Sequence, residues 1–150
     1  MRWRANVGTC IDTYSTLRIF SDESGPEEIT NTLGVEPTST FKEGDVHGLG
    51  RLRRKANGWF YSTKSITESK VDQHHLDLVL DVLDGKTDAV DALRERGCKI
   101  DIVTHWVSSG QGGPSLLPEQ MLKLGALGIS IWWDIYFSET LEKLPNPKID

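Results

Sequence analysis

Residues Ile129 to Phe137 read ISIWWDIYF, and no other stretch restricts the fold as tightly. Ile, Trp, Tyr and Phe favour the pleated, extended backbone of a strand, and no Gly or Pro interrupts them. Side chains alternate across a strand. Ile129, Ile131, Trp133, Ile135 and Phe137 are therefore predicted to face a helical layer. Ser130, Trp132, Asp134 and Tyr136 would face the other way. The stretch just before it, Pro118 to Leu127, predicts a helix with proline at its first position and Gly128 at its end.

A strand of this kind needs neighbours, and the rest of the chain supplies them. In YSTLRIF, from Tyr14 to Phe20, Leu17 and Ile19 alternate with Thr16 and Arg18, the pattern of a half-buried strand. A weaker pattern from Ala5 to Ile11 predicts an extra edge strand. SGPEEITNTLG, from Ser24 to Gly34, predicts a short helix. Pro26 suits its start, Glu27 and Glu28 suit its dipole, Ile29 and Leu33 share one face, and Gly34 ends it. Residues 38–58 carry glycines and charges without periodicity and predict a loop. GWFYSTKS, from Gly58 to Ser65, predicts a strand.

From Val71 to Arg96 the period is helical. Leu76, Val79, Leu80 and Leu83 line one face, Gly85 breaks the helix, and Ala89, Val90 and Leu93 continue it as a second one ending at Gly97. KIDIVTHWVS, from Lys99 to Ser108, predicts another strand, and SGQGGP after it a turn. The segment after Ser138 is polar and is expected to be peripheral. The order strand–helix–strand–helices–strand–helix–strand predicts one α+β domain over residues 1–150. Its expected form is a two-layer, mostly antiparallel sheet with helices on one face, a ferredoxin-like relative with inserted helices.

The formal net charge is −5, which favours solubility and attraction to a basic partner, whereas a generic nucleic-acid binder leans basic. The two cysteines, Cys10 and Cys98, read as free thiols rather than a disulfide framework. No apolar run approaches the roughly 20 residues that cross a bilayer. The first ten residues, MRWRANVGTC, are too short and polar for a signal peptide. A cytoplasmic protein without membrane contact is expected.

Six ordered pieces carry a resemblance. They are YSTLRIFSD, GPEEITNTLGVEPT, FKEGD, NGWFYSTKS, LRERGCKIDI and LPEQMLKLGALGISIWWDIYF, spanning about residues 14–137. Together they resemble domain of unknown function 4279, a family found mainly in bacteria. The family has no settled activity, so the resemblance implies a shared fold and no catalytic residues. In size and charge the chain also looks like the small immunity factors encoded beside bacterial toxins.

Four groups of residues are candidate sites. Arg51, Arg53, Arg54 and Lys55 crowd one loop, with Lys42 and His47 near them and Trp59 just beyond. Arginine forks suit phosphate or carboxylate and an indole suits a base, although Glu43 and Asp45 balance this loop. His74, Asp77 and Asp81 lie at helical spacing that metal ligands also use, but no HExxH or paired CxxC accompanies them, and a wet helix face is the plainer reading. His105 and Asp101 share a strand face, with Ser108, Ser109 and Cys98 close in sequence. No GxSxG elbow is present to assemble them. No catalytic residue, metal or cofactor is therefore assigned.

The fourth group is Trp132, Asp134 and Tyr136, with Arg18 expected on the same face of the sheet. Trp, Tyr and Arg are the usual anchors of interfaces. If the N-terminal segment, with Trp3 and Val7, or a homodimer covered these rings, they would be core instead. The reading that results is a non-enzymatic protein-binding module, an immunity protein neutralising a basic toxin. The alternative is an anion or nucleic-acid binder that uses the Arg51–Lys55 loop and Trp59.

Overall fold

A computed structural model describes residues 9–138. Its elements in chain order are β1 (Cys10–Ser21), α1 (Pro26–Leu33), β2 (Ser39–Phe41), β3 (Val46–His47), β4 (Leu52–Arg53), β5 (Asn57–Ser62), α2 (Asp72–Val82), α3 (Thr87–Glu95), β6 (Lys99–Ser108), α4 (Pro118–Leu127) and β7 (Ser130–Phe137). Five strands form one sheet in the order β2-β5-β1-β6-β7, and β3 and β4 pair separately as a small ribbon. β1 runs antiparallel to both β5 and β6, and β2 runs antiparallel to β5. β6 and β7 are parallel, with α4 as the crossover between them. The fold is thus α+β, with a mixed sheet in which antiparallel pairs predominate.

The helices stack on one side because the strands offer one greasy side. Leu17 and Ile19 of β1, Trp59 of β5, Ile102 of β6 and Ile129 before β7 meet Ile29 and Leu33 of α1, Leu76, Val79 and Leu80 of α2, Val90 and Leu93 of α3, and Leu124 and Leu127 of α4. Each large side chain fully buried here stabilises the fold by about 1.5–3 kcal/mol relative to exposure. The Trp59 indole donates to Thr30 Oγ1 at 2.9 Å, which fixes α1 against the sheet. Gly85, at φ 69°, separates α2 from α3 where the sequence predicts the break.

Under the N-terminal half of α2 the same face turns polar yet stays closed. His75 Nε2 donates to the Ser69 carbonyl at 2.7 Å, and its Nδ1 lies 2.6 Å from Thr63 Oγ1. That hydroxyl also accepts from the Ser15 backbone N–H, and Ser15 Oγ meets Thr104 Oγ1. Burial of these hydroxyls and this imidazole is tolerated because they pair with one another and with backbone groups.

Three expectations need correction. Residues 38–58 are not a featureless loop, since β2, β3, β4 and the start of β5 lie within them. Strands of two or three residues are too short to show a period. Residues 10 and 11 extend β1 rather than forming a separate edge strand, Thr9 is a turn residue before it, and residues 5–8, Val7 among them, lie outside the described residues, as do Trp3 and the segment after Ser138. The apolar row of β7 is only half covered. Ile129 and Ile131 join the core, whereas Trp133 is 43%, Ile135 45% and Phe137 76% exposed. β7 is one of the two edge strands, and among the described residues no helix packs over the second half of its row.

Candidate functional site

The face of the sheet away from the helices is built from the alternate residues. Register sets its rows. Phe60, Arg18, Asp101 and Ser130 lie side by side across β5, β1, β6 and β7. Ser62, Thr16, Val103 and Trp132 form the next row, and Tyr14, His105 and Asp134 the one after. Small residues in the middle row, between taller neighbours on both sides, leave a concavity of about 560 Å³, within the size range of small-molecule sites. Trp132 closes it at the β7 end and is 62% exposed.

One wall is held by charge. Arg18 donates from Nε and Nη2 to the two carboxylate oxygens of Asp101 at 2.8 and 2.7 Å, a bidentate pair. The opposite wall is aromatic. His105 stacks on Tyr14 with centroids 4.6 Å apart and meets Tyr136 at 5.2 Å. Lys64 Nζ lies over the outer part of this stack, 5.2 Å from the Tyr14 centroid. Tyr136 Oη donates to Asp134 Oδ2 at 3.1 Å.

His105 is the electrostatic centre of that wall. It is only 7% exposed, and each ring nitrogen stands 3.9 Å from a carboxylate oxygen, Nε2 from Asp12 and Nδ1 from Asp134. Those distances exceed direct hydrogen-bond reach. Burial lowers its pKa and outweighs the two carboxylates, which pull the other way. Burial likewise pushes the Tyr14 phenol up to about 12, with help from Asp12 and Asp134. At neutral pH this wall therefore carries a neutral imidazole between two acids.

The four residues read from the sequence as an interface, Trp132, Asp134, Tyr136 and Arg18, all line this concavity. Tyr14, Lys64 and His105 join them without having been assigned there. Tyr14 and Arg18 share parity on β1, a signal present in the sequence. Its pairing with His105 depends on strand register and is not.

The other candidate groups disperse. Trp59 is fully buried, so it cannot stack on a base beside the Arg51–Lys55 loop, and that part of the nucleic-acid reading is corrected. Arg53 donates to the Gly44 carbonyl and Arg54 lies 4.0 Å over the Phe41 ring, both within or beside the β3–β4 ribbon. Asp77 accepts from Gln120 and His74 meets Ser69, so neither is turned to a shared metal. Asp101 is taken by Arg18, Ser108 lies on the helix side of β6, and Cys98 precedes the far end of that strand, so none of them meets His105.

The family model for a domain of unknown function (DUF4279) matches residues 11–138. The chain belongs to this family. No curated protein and no solved structure matches the chain. The DUF4279 span takes in every residue lining the concavity, so the open face is part of the family domain rather than of an appended segment. Among the described residues of this DUF4279 chain, no helix is long and apolar enough to cross a membrane.

Proposed function

We propose that this chain is a non-enzymatic protein-binding module that docks its partner on the open face of the sheet. One observation carries the reading. Trp132, an anchor-type residue, stands largely exposed at the mouth of a concavity lined by Tyr14, Tyr136 and Arg18, on the face the helices leave free. The net charge of −5 favours a basic partner and would speed encounter with it. Neutralisation of a basic toxin by a bacterial immunity protein, acting in the cytoplasm, is the role that best joins these features.

The test is titration of the purified chain with the product of the neighbouring gene. Trp132→Ala and Tyr136→Ala should each weaken binding by about 2 kcal/mol or more, the scale of an interface hot spot. Unchanged affinity in both variants contradicts the proposal. A complex that forms only between two copies of the chain, seen by sedimentation, would redirect it to a homodimer through the same face. The Arg51–Lys55 reading retains only its ribbon cations. It predicts RNA or DNA binding that falls steeply with salt and disappears in Arg53→Ala and Arg54→Ala.

A further inference from the structure

We infer that the β7 end of the open face is a receptor for an arginine side chain of the docked partner, the guanidinium stacking on Trp132 and pairing with Asp134. The inference rests on the docking reading and names the group that the face would take.

Trp132 and Asp134 are two residues apart on one face of an edge strand, so their Cα atoms are roughly 7 Å apart. That spacing lets one planar cation lie against the indole and reach the carboxylate. Tyr136 Oη donates to Asp134 Oδ2, which turns the carboxylate and leaves its other lone pairs for a donor. The carboxylate is half exposed, and its nearest basic group among the described residues is the His105 imidazole at 3.9 Å.

The charges on this face decide the sign of the ligand. Arg18 and Asp101 neutralise each other through two hydrogen bonds. Lys64 lies over the Tyr14 ring, with Tyr14 and His105 between it and Asp134. Asp12 flanks His105 on its other nitrogen. Asp134 on β7 and Asp12, two strands away on β1, thus flank a buried, unprotonated imidazole, each 3.9 Å from one of its ring nitrogens. A cation meets the Asp134 carboxylate and an open indole there, with Asp12 adding negative charge from beyond His105. An anion, whether a phosphate or a carboxylate, meets repulsion. The overall charge of −5 points the same way. Guanidinium fits better than ammonium because it is flat enough to stack and forked enough to pair.

The experiment is an NMR titration of the isotope-labelled full chain with N-acetylarginine amide at constant ionic strength, read at the Trp132 indole N–H. A saturable shift in the millimolar range is expected. Asp134→Asn and Trp132→Leu should each weaken it about fivefold. N-acetyllysine amide should bind more weakly than the arginine probe, and the neutral N-acetylglutamine amide and anionic N-acetylaspartate should leave the signal unmoved. Equal binding of the glutamine probe, preferential binding of the aspartate probe, or an arginine shift that survives both substitutions overturns the inference. If the protein partner needs Trp132 and Tyr136 but binds Asp134→Asn as tightly as wild type, the arginine receptor fails and the docking face stands. If the arginine probe behaves as expected and the protein partner ignores Trp132→Ala, the receptor stands and the docking reading fails.

Discussion

His105 and Cys10 are single side chains whose surroundings set their protonation. Burial disfavours the charged imidazole, so the folded chain takes up its proton at lower pH than the unfolded chain, whose value is near 6.5. Between those two values the unfolded state holds more protons. The stabilising contribution is therefore full above pH 6.5 and declines as pH falls toward the folded value. An NMR titration of the His105 ring should give a midpoint below 6.5, and Asp134→Asn should lower it further. A midpoint at or above 6.5 contradicts the described environment.

Cys10 behaves in the opposite sense. Burial, then Asp72 and Asp12, raise its thiol from 9.0 to about 11. The folded chain keeps this proton while the unfolded chain loses it, so stability falls as pH rises from 9.0 toward 11. Alkylation of Cys10 in the native chain at pH 9 should lag far behind that in urea, because the thiolate is the nucleophile. Equal rates would place the thiol in solvent.

At the scale of elements, the packing of β2 on β5 depends on an absent side chain. A Cβ on Gly58 would lie 2.2 to 2.6 Å from the Phe41 ring, closer than any contact allows. Gly58→Ala should cost about 1–3 kcal/mol of stability in urea unfolding. Adding Phe41→Ala should recover part of the strain. Additive losses in the double variant would deny the contact. The polar cluster beneath α2 makes a second prediction. Thr63→Val removes the hydroxyl that joins His75 Nδ1 and the Ser15 N–H. Leaving those buried groups unpaired should cost about 1–3 kcal/mol each. A variant within 0.5 kcal/mol of wild type, roughly the scatter of neutral surface substitutions, would contradict the network.

These elements also mark where sequence reading succeeds. The helices of ten or so residues and the strands β1, β6 and β7 were legible because each repeats its apolar period several times. Pro26, Gly85, Pro118 and Gly128 sit at their ends, where backbone chemistry permits little else. β2, β3 and β4 are too short for a period. Strand order was not legible, since Tyr14 meets His105 only through pairing between positions far apart in the chain. The face of Trp132, Asp134 and Tyr136 followed from alternation alone. Its concavity did not, because the hollow depends on Ser62, Thr16 and Val103 arriving side by side from three strands. Half of β7's apolar row escaped the core because alternation says which way a side chain points but not whether a helix reaches it.

Over the described residues, the sheet separates a helix-covered core from an open face. Four helices cover one face except over the second half of β7, and the other face carries the concavity with its rings and charges. Cys10 and Cys98 lie at opposite ends of the β1–β6 pair, roughly 30 Å apart at the rise of extended chain, so no disulfide can join them. Trp132→Ala should unfold within about 0.5 kcal/mol of wild type, because its ring is largely in solvent, while weakening partner binding. That separation distinguishes a docking residue from a core residue.

The most direct test of the open face is hydroxyl-radical footprinting of the chain alone and saturated with the neighbouring gene's product. Trp132 and Tyr136 should be oxidised in the free chain and protected in the complex, with Trp59 unreactive in both. Protection confined to the helices or to the β3–β4 ribbon, with Trp132 equally reactive in both states, would contradict the account.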